Sequence, residues 1–250
     1  MSGLLPDYGN QAKTYDQTRS ASPSVLGPLR EALDDAPGPR LLDVGGGTGN
    51  YAAALRDEGW DPVVCDRSPD MLARAAAKGL ETVPADAQEL PFADASFDAV
   101  ICVSMLHHVD DCPRALAEQR RVLRPGGRGA LMTYTREDIE DEWYHDYFPS
   151  TRAWMDASHQ RRDELLALLP GARHIELVFR DLDDASLGAL TAFPEKVLEA
   201  GWHRQTSYFE RLARDYPDEY AAGLERLRSD IESGNPPRGQ GTATVLAWTR

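Results

Sequence analysis

An apolar run that ends in a glycine turn restricts this chain more than any other feature. Arg40-Leu41-Leu42-Asp43-Val44 leads into Gly45-Gly46-Gly47-Thr48-Gly49. A short run without polar alternation fits a strand buried on both faces. The glycines after it mark a tight turn, where the backbone can take left-handed angles and a ligand can approach closely. Asn50 to Glu58, rich in Ala and Leu and closed by Gly59, reads as a helix. A strand that feeds a helix through such a turn presents helix amides to a bound nucleotide. The dinucleotide form of the turn is Gly-x-Gly-x-x-Gly, and here Asn50 stands where the third glycine belongs. The turn alone does not choose between cofactors.

The same alternation continues. Asp61 to Asp66 reads as a second strand, and Pro69 to Lys78 as a helix with Ser68 as N-cap and Gly79 as stop. Leu80–Pro84, Phe97–Ser104 and Gly129–Tyr134 read as strands, with a helix over Pro113–Leu123. Strands that alternate with helices imply a parallel sheet with right-handed crossovers, covered on both faces. Ahead of the glycine turn, Val25 to Ala36 shows helical spacing and is stopped by Pro37-Gly38-Pro39. Beyond it, residues 136–171 look helical and carry Trp143, Tyr144, Tyr147, Phe148 and Trp154. Residues 174–182 and 241–249 read as two more strands, with several helices between 185 and 233. The expected architecture is an α/β fold: a doubly wound, seven-stranded, mostly parallel sheet with helical cap insertions. Its parts are an N-terminal helical segment (1–36), a cofactor-binding core (37–135) and the remaining strands with their insertions (136–250), in one domain overall.

Three carboxylates fall at the ends of the first three strands. Asp43 precedes the glycines. Asp66 closes the second strand about 20 residues on, where a carboxylate can accept from both hydroxyls of a ribose. Asp86, just after the third strand, can accept from an adenine amino group. Together they line one crevice at the carboxyl ends of the strands. Asp66 by itself suits a nicotinamide site equally well.

Taken in order, Leu41 to Leu55, Val64 to Leu72, Asp86 to Asp98, Ser104-Met105-Leu106-His107-His108-Val109 and Val122-Leu123-Arg124-Pro125-Gly126-Gly127 resemble the class I S-adenosylmethionine-dependent methyltransferases. The resemblance is to their type 11 branch, which includes ubiquinone- and menaquinone-type methyltransferases. It runs from residue 8 to about 135 and continues weakly beyond. It implies a Rossmann-like methyltransferase fold, S-adenosylmethionine as cofactor and S-adenosylhomocysteine as product. It further implies that Gly45, Gly46 and Gly47 lie along the methionine part and that Asp43 orients the turn near the cofactor's ammonium. Asp66 would take the ribose, with Arg67 and Met71 flanking the adenine. Asp86 and the Ala87 amide would bind the adenine, and the Ser104 backbone the amino-acid end. The segment Tyr8-x-x-x-Ala12-x-x-Tyr15-Asp16-x-x-Arg19 is similar to one that folds over the cofactor, with Tyr15 and Arg19 as contacts.

Methyl transfer from a sulfonium needs alignment and exclusion of water, and a base only where the acceptor must lose a proton. His107 and His108 are the candidate bases, since they follow the fourth strand and imidazole exchanges protons near neutral pH. Tyr144, His145, Tyr147 and Trp154 are candidates to line an apolar acceptor pocket. Trp202, His203 and Tyr208 in the second helical stretch have the same standing.

The 27 basic and 41 acidic residues give a net charge of −14, with no basic stripe for a phosphate backbone. The expected partner is a small-molecule acceptor, not nucleic acid or membrane, and the protein a monomer or homodimer. Cys65, Cys102 and Cys112 match no metal signature, and no metal is expected. No basic stretch followed by an apolar one opens the chain, and no apolar run reaches about 18 residues. A cytoplasmic location is expected. Two other functions remain open at this point: a nicotinamide oxidoreductase, and a protein of the same fold that binds the cofactor without transferring methyl.

Overall fold

The computed structural model describes residues 19–182, 185–199, 201 and 206–250. Seven strands are formed: β1 (Arg40–Val44), β2 (Asp61–Asp66), β3 (Glu81–Pro84), β4 (Phe97–Val103), β5 (Leu123–Thr133), β6 (Arg173–Val178) and β7 (Thr242–Thr249). They make one sheet in the order β3-β2-β1-β4-β5-β7-β6. The first five are parallel, and β7 runs antiparallel to both neighbours. The chain order reverses between β1 and β4, so the carboxyl ends of these two strands open a crevice there.

Both faces of the sheet are buried, and neighbouring residues point to opposite sides. Leu41, Ile101, Met132 and Val245 join one apolar cluster, and Leu42, Cys102, Leu131 and Leu246 join the other. The helix α1 (Pro23–Leu33) places Val25, Leu26 and Leu29 on the first face. On the same face lies α2 (Asn50–Arg56), through Leu55. The helix α3 (Pro69–Ala77) packs with β2 and β3, and its N-cap is Ser68, whose side chain accepts from the Met71 amide at 3.4 Å. The second face is covered by α4 (Cys112–Val122).

Two boundaries differ from the sequence reading. β5 begins at Leu123, not Gly129, so Arg124-Pro125-Gly126-Gly127 belongs to the strand. The cause is a distant partner: the Gly126 amide donates to the Arg250 carbonyl (2.9 Å) and the Arg250 amide to the Gly127 carbonyl (3.0 Å). Residues 136–171 are not one helical stretch but α5 (Arg136–Ile139), α6 (Tyr144–Tyr147), α7 (Thr151–Ser158) and α8 (Arg162–Leu168). After β6 come α9 (Leu187–Ala192), a 3₁₀ segment (Pro194–Leu198), α10 (Ser207–Asp215) and α11 (Pro217–Glu232).

The insertions divide between the faces. Trp143, Tyr144, Phe148, Met155, Tyr208 and Phe209 extend the α1-side cluster, whereas Leu165 and Leu169 join the α4 side. The start of α1 is anchored by the segment that follows β6. Asp181 accepts from Ser22 Oγ (2.9 Å), the Ser24 amide (3.0 Å) and Ser24 Oγ. No described helix is long and apolar enough to cross a membrane.

Candidate active site

The glycine turn is stitched to the end of β2. The Gly45 and Gly46 amides both donate to the Cys65 carbonyl, at 2.8 and 3.2 Å. Asp66 accepts from the Gly47 amide (3.0 Å) and the Ser68 amide (2.8 Å), one on each carboxylate oxygen. One side chain therefore holds the turn and the entry to α3 together. Burial pushes the Asp66 carboxyl above its ordinary range, and the two amides counter that rise.

Each glycine answers a different need. Gly45, Gly47 and Gly49 have φ of +67°, +56° and +73°, angles that L side chains rarely adopt. A Cβ on Gly45 would lie 2.2 Å from Met105 Cγ, and one on Gly46 2.5 Å from Asp43 Cγ. A Cβ on Gly47 would meet no atom of the described residues within 4 Å, so among them that side of the turn is open.

Asp43 sits beneath the turn, 2 % exposed, with Oδ1 lacking any hydrogen-bond partner. Burial first, and the Asp66 charge second, push its carboxyl up to about 7. An enclosed carboxylate oxygen without a donor is costly and suits an arriving cation.

The crevice encloses about 920 Å³, part of it open to solvent. Gly45, Gly47, Asp66, Arg67, Met71, Asp86, Ala87, Ser104 and His108 line it, so nine of the sequence candidates meet in one place. Gly46 and Asp43 lie directly behind that wall. Asp86 is fixed by its own turn: it accepts from the Gln88 amide at 2.8 Å, which holds its carboxyl below the usual range. Ser104 ends β4 with φ of +52°, a strained angle for a residue with a side chain, and its amide donates to the Met132 carbonyl at 2.9 Å. Cys65, Ala85, Gln88, Val103, Met105, Val109 and Asp110 complete the wall, and the sequence reading named none of them as site residues.

The other candidates fall elsewhere. Tyr15, like Trp202 and His203, lies outside the described residues. Arg19 is half-buried, and its carbonyl accepts from Asn50 Nδ2 at 2.8 Å, at the start of α2. His107 and His108 form a 3₁₀ turn with Leu106 directly after β4, and only His108 is part of the crevice wall. Burial and the nearby Arg67 push His108 down to about 4, and burial holds His107 well below the ordinary imidazole value.

The four acceptor-pocket candidates are occupied in packing, and none lines this crevice. Tyr144 is 1 % exposed, edge-on to Tyr208. His145 uses both ring nitrogens, on Thr151 Oγ1 (3.1 Å) and the Ile139 carbonyl (3.0 Å). Tyr147 donates to Asp230 at 2.6 Å, and Trp154 lies under the Arg211 guanidinium, 4.5 Å from the ring centre. A run of aromatics signals burial, and sequence alone does not tell a wall of a core from a wall of a pocket. Among the described residues no cluster of His, Cys, Asp and Glu could hold a metal ion.

Comparison with known proteins agrees with this geometry. Residues 42–131 match the family model described as "Methyltransferase domain". The chain is 31% identical over 220 residues to a demethylmenaquinone methyltransferase of Renibacterium salmoninarum, covering 78% of this chain and 89% of that protein. It is 46% identical over 142 residues to a demethylmenaquinone methyltransferase of Beutenbergia cavernae, where the match spans 54% of this chain and 58% of the relative. A crystal structure from Anabaena variabilis, described as a methyltransferase from an antibiotic biosynthesis pathway, superposes with a TM-score of 0.79 at 26% identity, covering 94% of this chain and all of the other. With the strand order, the glycine turn and the three strand-end carboxylates, these likenesses show that the chain belongs to the class I S-adenosylmethionine-dependent methyltransferases, in their type 11 branch.

Proposed function

We propose that this chain moves a methyl group from S-adenosylmethionine to an O, N or C atom of a small-molecule acceptor. The observation that carries this reading is Asp43 Oδ1, a buried carboxylate oxygen with no donor among the described residues, directly behind a turn whose Gly47 none of those residues crowds. That pairing fits a ligand with a cationic amino-acid end. When bound, the cofactor supplies a methyl already activated on a positive sulfur.

The chain's part is to bind and align. Asp66 presents its carboxylate to the ribose, with Arg67 and Met71 beside the adenine. Asp86 and the Ala87 amide take the adenine edge. The strained Ser104 turns its backbone toward the methionine end, and Arg19, whose carbonyl Asn50 holds, is the candidate partner of the methionine carboxylate. His107 and His108 stand at the reacting end. The net charge of −14 supports a small acceptor over nucleic acid, and the protein is read as a monomer or homodimer. The three buried free cysteines suit a reducing cytoplasm.

The names of the relatives make reduced demethylmenaquinone the first acceptor to test. Release of S-adenosylhomocysteine that depends on this quinol is the expected result. Stabilisation of the fold by NAD(P) and not by S-adenosylmethionine, in a thermal-shift panel, would overturn the methyl-transfer reading itself.

Asp43 gives a second, pH-dependent expectation. Its carboxyl titrates at about 7 in the unliganded protein, so it is largely protonated at pH 6. A cationic ligand stabilises the ionised form, so binding at pH 6 releases a proton and apparent affinity rises with pH until the carboxyl is ionised. The raised value also means that the carboxyl destabilises the empty fold increasingly as pH climbs from the ordinary 3.8 through about 7. Calorimetry of S-adenosylhomocysteine binding at pH 6, in two buffers of different ionisation enthalpy, reads the proton directly. Asp43→Asn abolishes that release and makes the unliganded protein more stable at pH 8. Equal enthalpies in the two buffers would remove Asp43 from the ammonium site.

A further inference from the structure

Three imidazoles meet where β4 ends. His107 and His108 are neighbours in the 3₁₀ turn, with ring centres 3.9 Å apart. The third, His159, comes from the insertion that follows β5. It caps the end of α7, and its ring lies nearly parallel to His107 (16°) with centres 5.3 Å apart. Backbone bonds hold it there. The His159 amide donates to the Met155 carbonyl at 3.1 Å, and Arg136 Nε donates to the His159 carbonyl at 2.8 Å.

The hydrogen bonds of this ring fix where its proton sits. His159 Nδ1 lies 3.0 Å from the Met155 carbonyl oxygen, which can only accept. Nδ1 must therefore carry the hydrogen, and in the neutral ring Nε2 keeps a bare lone pair. Ser158 Oγ lies 3.0 Å from the same Nδ1, but its hydroxyl donates to the Trp154 carbonyl at 2.9 Å. That hydroxyl also has the Met155 carbonyl at 3.2 Å to donate to, so the serine can accept from Nδ1, whereas the Met155 carbonyl can do nothing else.

An imidazole base needs this arrangement: one nitrogen held by an acceptor, the other free to receive a proton. His107 lacks it, since its enclosed Nδ1 has no partner and nothing fixes its tautomer. His108 faces Arg67 across the crevice wall. We propose that His159 Nε2 is the atom that takes the proton from the methyl acceptor, with His107 as the flat surface that holds its ring. The inference rests on the methyl-transfer reading above. In the step, the acceptor's electron pair forms the bond to the methyl carbon as the carbon–sulfur bond breaks and its pair stays on sulfur. The acceptor's proton passes to Nε2, and the imidazolium then returns it to solvent.

Burial keeps the His159 ring below the ordinary imidazole value, so it is neutral and ready at pH 7. Arg136 acts in the same direction, Asp156 and Asp138 oppose it, and His107 and His108 share the surroundings. The rate therefore falls only on the acid side, with its limb below pH 6.5.

Two measurements test the assignment. The first needs no acceptor: long-range ¹H–¹⁵N correlation on histidine-labelled wild type with S-adenosylhomocysteine, the His159 signal identified by its loss in His159→Asn. The Nδ1–H tautomer is the expected result, and an Nε2–H tautomer overturns the proposal. The second follows methyl transfer to reduced demethylmenaquinone. Asn retains a donor for the Met155 carbonyl and lacks the base. We expect kcat to drop about 100-fold or more and the acid limb to vanish, in line with the usual contribution of a positioned base. S-adenosylhomocysteine affinity by calorimetry stays within about twofold of wild type, so the loss is not one of folding or cofactor binding. A kcat within about threefold of wild type overturns the proposal. A wild type that leaves this quinol unmethylated counts against the acceptor alone, and the tautomer measurement then decides for His159.

Discussion

Asp66→Ala weakens S-adenosylhomocysteine binding by at least about 100-fold. In the proposed site the carboxylate at the end of β2 accepts from two ribose hydroxyls, and hydrogen bonds to a charged acceptor contribute about 1.5–3 kcal/mol each. Loss of both is worth about 3–6 kcal/mol, or two to four decades in Kd. A second effect acts in the same direction. Asp66 already accepts from the Gly47 and Ser68 amides, so the variant also releases the turn against which the cofactor lies. Asp66→Asn separates the two, because the amide oxygen can still accept one of these bonds while the charge is gone. Titration calorimetry of wild type and both variants gives the order expected: wild type tightest, Asn intermediate, Ala weakest. Affinity in Asp66→Ala equal to wild type would move the ribose site away from β2.

The second large effect separates folding from binding within a single turn. Gly47→Ala adds one methyl group that meets no atom of the described residues within 4 Å. Its cost to the empty protein is that of an L residue in the left-handed region, roughly 1–2 kcal/mol. Thermal unfolding of the unliganded variant therefore shifts by only a few degrees. The methyl fills the space assigned to the methionine part, and cofactor affinity falls by about 100-fold or more. Gly45→Ala behaves differently: its Cβ would lie 2.2 Å from Met105 Cγ, so stability suffers before binding is reached. Gly47→Ala with full affinity would mean that the ligand does not pass along this face of the turn.

Much of this is legible in the amino-acid sequence. Continuous apolar runs gave β1, β2 and β4, because a strand buried on both faces has no polar alternation to hide it. Ser68 before Pro69 marked a helix start, since a hydroxyl followed by a pre-set φ is a local device that needs no tertiary partner. The strand-end carboxylates could be found from spacing, because a parallel sheet delivers successive strand ends to one edge. What escaped was whatever depends on a distant partner. Leu123 to Arg128 is strand because residues at the far end of the chain pair with it. Tyr144 and His145 read as pocket residues, and their surroundings, set by Tyr208, Thr151 and Ile139, turn them inward. His159 carried no motif at all. Its interest lies in a carbonyl one helical turn back and in a ring from another part of the sequence.

The position of β7 has a consequence for biosynthesis. β6 touches the sheet only through β7, which follows it in the chain by the whole run of α9 to α11. As the polypeptide leaves the ribosome, β1 to β5 can assemble at once, each new strand finding a partner already made. β6 then emerges with no edge to join. Until Thr242–Thr249 arrives, β5 offers a bare row of amides and carbonyls beside apolar Leu131, the kind of edge that invites pairing with another chain. The nascent protein thus completes β1 to β5 early and leaves the β5 edge open to the last, a window in which a chaperone has something to protect.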